Sequence, residues 1–262
     1  MIEVKKKDEI AARHSRIVDT AFSLLNEQGL SAVRLDRVAE IIGCTRTTLY
    51  QHFANREEML VEMARRAIEF RYRLFEHAVH SDGRPRERIM AVCVASMVYV
   101  DDLPLHFSIE QAVQNESIWE RISPERQRPI LENQQACMEL CSTCVDEAIR
   151  GGELPLPAGL TVEQMVERVC FGLWSMAYGG LVIEASSPSL ERVGIRDVRS
   201  TIHHNCNALL DSFAWEPRYD PIEYQSFLHE TLAMLRERAE AMKSASDDSG
   251  QPAEREKQHD AH

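Results

Sequence analysis

The sequence predicts an all-α protein of two parts. Apolar residues recur at three- and four-residue spacing along most of the chain, and no stretch alternates β-branched with polar residues as a half-buried strand would. At 262 residues the chain exceeds a typical single helical domain and can bury a substantial core. The expected parts are an N-terminal arm and helix-turn-helix hairpin at residues 1–60, a larger helical domain at 61–242, and a disordered tail at 243–262, rich in Ser, Asp, Glu and Gln. No internal repeat is visible.

In the first part, a helix ends at Gly29, and the Lys5-Lys6-Lys7 cluster before it reads as a flexible arm able to reach a phosphate backbone or minor groove. Val38, Ala39 and Ile42 share one face of a second helix, which Gly43 stops because a chain leaving a helix needs a left-handed residue. Thr45 offers its hydroxyl oxygen to the amides of a third helix over 46–53, from which Leu49 and Phe53 point inward. Arg46, Thr47, Thr48, Tyr50, Gln51 and His52 are then left facing out. Such a surface suits a major groove, where Arg forks onto guanine, Gln onto adenine, and hydroxyls or imidazole meet phosphate. Asn55, with Glu58 three residues on, starts the next helix in the manner of a capping box. Arg56 lies in that first turn, where its charge opposes the helix dipole and suggests an anionic partner.

The run from Arg16 to Leu60 resembles the DNA-binding domain of the TetR (tetracycline-repressor-like) family. The residues that carry the likeness are Gly29, Val38-Ala39, Gly43 with Thr45, the string Thr48-Leu49-Tyr50-x-His52-Phe53, and Arg56-Glu57 with Leu60. The resemblance implies that the helix over 46–53 enters the major groove of an operator in double-stranded DNA. It also implies that Thr48, Tyr50, His52 and Arg56 hold phosphates. Three positions depart from the family pattern. Arg34 replaces the Ser or Thr that caps the second helix, removing a cap or adding a phosphate contact; Thr47 stands where Gly is common; and Arg56 replaces Lys, keeping the charge with a different geometry.

Beyond residue 60 an apolar stripe of Leu60, Met63, Ala67, Phe70, Leu74 and Phe75 predicts a linking helix over 56–80, ended by Ser81-Asp82-Gly83-Arg84-Pro85. A segment with Ile89, Val92, Cys93, Ser96, Met97 and Val100 follows, then a short one over 105–113 after Pro104. Pro124 opens a long polar helix to residue 150, closed by Gly151-Gly152. Residues 161–185 form the most apolar helix, apolar nearly all round and so covered on more than one side. A helix over 196–215 and an amphipathic one over 222–242, with Phe227, Leu228, Leu232 and Leu235, complete the domain.

For this second part the resemblance implies a ligand-binding, homodimerising domain, with the helices at 161–185 and 196–215 paired across a two-fold axis, and repression released when a small molecule binds. Gly179-Gly180 lowers helix stability, which close approach of a partner backbone would offset; a kink or a crossing within the chain is the alternative. A dimer reads paired half-sites, so symmetry multiplies the specificity of one helix. Met97, Phe107, Trp119, Met138, Phe171, Trp174 and Tyr178 are the candidates to line an apolar effector pocket, with Glu110 or Glu184 to meet a cation.

Net charge is −12, yet residues 1–60 carry nine Lys or Arg and nine Asp or Glu, so the deficit lies wholly beyond the DNA-reading part. No run of 18 apolar residues and no signal peptide are visible, which places the expected protein in the cytoplasm without a membrane partner. Seven scattered cysteines predict reduced thiols. Cys137, Cys141 and Cys144 follow the Cys-x3-Cys-x2-Cys spacing of an iron-sulfur cluster, but on a predicted helix they share one face. They raise a second reading, a thiol- or metal-sensing regulator, with Cys93, Cys170 or His203 as further ligands. No catalytic triad, phosphate-binding Gly loop or zinc motif is visible, and neither cofactor nor catalytic residue is expected.

Overall fold

The computed structural model describes residues 2–248 except 188, and among them it contains helices and no strand. Eleven α-helices follow in order: α1 Ile2–Gln28, α2 Leu35–Ile42, α3 Arg46–Tyr50, α4 Arg56–Val79, α5 Pro85–Asp102, α6 Pro104–Val113, α7 Glu116–Trp119, α8 Pro124–Gly151, α9 Val162–Ser186, α10 Val198–Ser212 and α11 Pro221–Asp248. Their residues fall into two compact units, one holding 2–54 with 240–248, the other Asn55–Ala239.

In the first unit Ile17, Val18, Ala21, Leu24 and Leu25 form the buried stripe of α1. Leu35, Val38 and Ala39 of α2 and Leu49 of α3 are buried too. Gly43 ends α2 at φ 73°, and its N–H reaches back to the Ala39 and Glu40 carbonyls. A Cβ there would meet no atom within 4 Å, so the positive φ, and no lack of room, is what asks for glycine. Thr45 caps α3 by accepting the Thr48 N–H at 3.1 Å. Regular α3 stops at Tyr50, three residues before the expected end; the chain turns there, with the His52 and Phe53 N–H groups both given to the Leu49 carbonyl. The Lys5-Lys6-Lys7 run is also helical, lying within α1 where an arm was expected.

In the second unit Asn55 caps α4 by accepting the Glu58 N–H at 2.8 Å, and its amide donates to the Arg121 carbonyl at 2.8 Å. Helices α4, α5, α6 and α8 pack together, with α9 covering α5 and α8, and α10 lying on α9 and α5. Pro104 cannot continue α5, and α6 leaves it at 100°. Arg86 is buried and ties α5 to the end of α10, donating to the Trp215, Pro217 and Asn207 carbonyls at 3.0, 3.2 and 3.2 Å and pairing with Asp211 at 2.7 Å.

Glycine decides the α9–α10 crossing. A Cβ on Gly172 would lie 2.7 Å from Leu209 Cδ2, and one on Gly180 2.6 Å from Ile202 Cδ1. The close approach at Gly180 is therefore made within the chain, whereas Gly179 meets nothing within 4 Å. The last helix runs on to Asp248, past the expected start of the tail; residues 249–262 of that tail lie outside the described residues.

Helix α9 is long and apolar enough to pass a length-and-hydropathy test for a membrane span, a result the sequence reading did not anticipate, and 28% of its apolar window is buried. Its uncharged run, however, is only the 15 residues 169–183 between Arg168 and Glu184, shorter than the ~20 residues a bilayer core requires.

Candidate nucleic-acid interface and ligand cavity

Helix α3 presents its polar side chains as a consequence of where its two apolar ones go. Leu49 and Phe53 are 1% and 0% exposed, which turns Arg46, Thr47, Tyr50 and Gln51 outward as one face. Tyr50 is 56% exposed, so its ring and hydroxyl are open to a partner. Thr48 and His52 are half-buried: the Thr48 hydroxyl shares a 2.9 Å hydrogen bond with Thr45, and the His52 ring lies 5.7 Å from that of His14. Arg34 does hold the cap position of α2 and makes no side-chain cap. Its guanidinium forks onto Asp36 at 3.2 and 2.9 Å, which turns it toward the helix start. Desolvation opposes the Asp36 charge, but the Arg34 guanidinium together with backbone N–H groups of Arg37 and Asp36 more than offsets it, and the Asp36 pKa is lowered. Arg56 opens α4 and is counted with the second unit.

Within the second unit, α4, α5, α6, α8 and α9 enclose a cavity of about 110 Å³. Of the residues named from the sequence as pocket candidates, Met138, Trp174 and Tyr178 line it. Four other candidates do not. Phe107 is buried beside it, edge-on to Tyr178 at 5.8 Å and to Tyr99 at 6.4 Å; Met97 is buried elsewhere along α5. Trp119 sits on the short α7, and Phe171 is 58% exposed on the outer face of α9. Helical spacing identified all four as apolar positions but could not say which neighbour each would meet.

The sequence reading named Glu110 for this wall but missed the groups that hold it. Arg71 of α4 pairs with Glu110 of α6 at 2.9 Å, both nearly fully buried, and the Tyr99 hydroxyl donates to the other Glu110 oxygen at 3.0 Å. Burial opposes the Arg71 charge, but the Glu110 carboxylate more than restores it, and the Arg71 pKa is raised. Burial and then Glu110 push the Tyr99 phenol well up. Glu110 is thus occupied by two donors, and Glu184 by Arg199 at 2.7 Å, so neither waits for a cation. The available signal was the place of Arg71 on the apolar stripe of α4, four residues after Ala67 and three and four before Leu74 and Phe75, where a charge needs a partner.

Cysteines form much of the remaining wall: Cys93, Cys137, Cys141 and Cys170. All seven cysteines are free thiols. Burial raises the Cys137 and Cys141 pKa values and lifts Cys144 to about 11 and Cys170 to about 12; a hydrogen bond with Cys206, then burial, raises Cys93. Thiols held this way are poor nucleophiles and poor soft-metal ligands. The Cys-x3-Cys-x2-Cys run lies on α8 as a helical face, and among the described residues no three His, Cys, Asp or Glu side chains gather as metal ligands. His203 and Cys206 face inward and His204 outward, so that cluster does not converge.

Residues 17–63 match the family model of bacterial regulatory proteins, tetR family. The curated HTH-type transcriptional repressor KstR2 of Mycobacterium tuberculosis is 27% identical over 93 residues, which cover 36% of this chain and 46% of that protein; the match spans about half of the relative's length. Among solved structures, a TetR/AcrR-family transcriptional regulator from Thermobifida fusca YX-ER1 is similar over 77% of this chain and 98% of its own, with 20% identity and a TM-score of 0.53. A transcriptional regulator from Saccharomonospora viridis, solved in complex with choline, is similar over 77% and 96%, with 16% identity and a TM-score of 0.56. These likenesses extend the shared all-α fold beyond the DNA-binding domain to most of the chain.

Proposed function

We propose that this chain, whose residues 17–63 belong to the tetR family of DNA-binding domains, is a ligand-responsive transcriptional regulator that represses from a palindromic operator as a homodimer. The observation that carries the reading is the outward face of α3: Arg46, Thr47, Tyr50 and Gln51 on a short capped helix fixed by Leu49 and Phe53. Arg and Gln supply the forked donors and acceptors that discriminate base pairs, and Thr48, His52, Arg34 and Arg56 flank them as phosphate contacts.

Dimerisation is supported by a face that the chain leaves uncovered. On α9, Phe171, Ser175, Gly179 and Ile183 follow one another at three- to four-residue steps, and Thr201, Asn205, Ala208 and Ser212 do so on the neighbouring α10. Pairing these two helices with their copies gives a four-helix seam, with Gly179 letting backbones approach. Phe171 and Ile183 are 58% and 54% exposed on this face, apolar side chains that a partner copy would cover.

The cavity is the effector site in this reading. Arg71 and Phe75 of its wall lie on α4, whose first residue follows α3 by six positions in the sequence. A ligand that shifts α4 would change the spacing of the two reading helices in the dimer, and operator affinity would fall. The thiol- or metal-sensing alternative has less support, because the thiols of the wall are buried with raised pKa values.

The test is sedimentation of the full chain with a duplex carrying the sequence that flanks its gene. Two chains per half-site pair are expected, and Phe171→Glu is expected to give monomers that no longer bind. Specific binding of one chain, unaffected by Phe171→Glu, would sink the dimer mechanism.

A further inference from the structure

One buried donor in the cavity wall is left without an acceptor, and beside it on the wall stands the Tyr178 hydroxyl, whose oxygen is already taken by two amides. Arg71 is 7% exposed; it gives Nη2 to Glu110, and its Nε–H has no acceptor. Tyr178 accepts from the side-chain amides of Gln111 and Gln114, the latter at 2.9 Å. Those two donors fill the lone pairs of the phenol oxygen, so the Tyr178 proton must find an acceptor elsewhere. Arg71 and Tyr178 both line the cavity and are near enough to perturb one another electrostatically. A buried donor without an acceptor is costly, and the cavity is the space from which an acceptor can come.

The charge balance restricts what that acceptor belongs to. Arg71 and Glu110 already neutralise each other. A carboxylate entering here would place a second anion beside Glu110, and an ammonium a second cation beside Arg71, each desolvated. Besides Ser96, Gln114 and Gln134, the rest of the wall is apolar, with Phe75, Ile89, Val92, Leu173 and Trp174 and with thiols that behave as small hydrophobes. The volume of about 110 Å³ is somewhat below the ~150 Å³ cavity that admits benzene, so a single ring fits with slight expansion.

We infer that the cavity takes an uncharged, mainly apolar molecule bearing a carbonyl oxygen, which the Arg71 Nε–H and the Tyr178 O–H hold together. This rests on the reading of the cavity as the effector site and adds the class of ligand.

The experiment compares acetophenone with ethylbenzene, which differ in the carbonyl, and adds benzoate and benzylammonium, each titrated into the full chain by ligand-observed NMR. Wild type is expected to bind acetophenone at least about tenfold more tightly than ethylbenzene, the value of one hydrogen bond to a charged donor. Tyr178→Phe and Arg71→Lys, the second keeping the charge that faces Glu110, should each bring that ratio toward one and leave ethylbenzene affinity unchanged. Equal affinities for the two neutral compounds in wild type, as when a fixed water satisfies both donors, would overturn the ligand class while the cavity remained a binding site. Tighter binding of either ion would overturn it in the same way. If none of the four binds, the effector-site reading falls and the inference with it.

Discussion

The face of α3 and the wall of the cavity use polar side chains in opposite ways. Arg46, Thr47, Tyr50 and Gln51 stand in solvent, where removing one leaves the fold almost untouched. Arg71, Tyr99 and Glu110 are buried and bonded to one another, so removing Glu110 strands the other two. The same residue types thus serve recognition in one region and architecture in the other, and burial separates the two roles.

The sharpest test of that contrast is Glu110→Ala, which leaves the Arg71 guanidinium buried without its carboxylate. A loss of about 3–5 kcal/mol in chemical denaturation is expected. An unchanged midpoint would mean that the pair is relieved by solvent and that the contrast is false.

Burial should also make the second unit sensitive to acid. His203 is inside, edge-on to Tyr224 at 5.1 Å, and desolvation lowers its pKa to about 4. The unfolded chain therefore binds the proton first as pH falls. His203 contributes fully above an unfolded-state pKa near 6.5, its contribution declines between there and about 4, and below that no more is lost. The decline amounts to about 3 kcal/mol at most. Unfolding curves of wild type and His203→Leu across this range should diverge by that slope; parallel curves would show that the imidazole is already solvated.

Next in size are the two adjacent glycines of α9. Gly180→Ala drives a methyl into Ile202 and should cost about 1–3 kcal/mol. Gly179→Ala has room and should raise the stability of the isolated fold by up to about 1 kcal/mol. If Gly179→Ala also weakens self-association, as read from the concentration dependence of sedimentation, the face it occupies is the dimer seam.

What could be read without the fold was whatever acts within about four residues. Gly43, Thr45 and Asn55 stop and start their helices through groups close along the chain, and the spacing of Leu49 and Phe53 sets which side of α3 faces out. The cavity is different, because Arg71 and Glu110 lie on helices that meet only in the folded unit. Periodicity could mark Phe107, Met97 and Phe171 as apolar but could not tell a cavity wall from a core or from an uncovered face. The partner of Gly180 was hidden for the same reason, since Ile202 reaches it from another helix. The short α7 has too few residues for a period to show.

The smallest expected change in stability belongs to Tyr50→Ala and Arg46→Ala, both within about 0.5 kcal/mol of wild type by thermal unfolding. The same substitutions carry the most direct test of the regulator reading. Wild type and Tyr50→Ala should be titrated side by side against the DNA flanking the gene, with competitor DNA and at stated salt. Saturable, competitor-resistant binding by wild type, weakened about tenfold or more in Tyr50→Ala with its folding intact, is the expected result. Equal affinity of the two proteins, or no specific binding by either, would contradict the assignment of α3 as the DNA-reading helix.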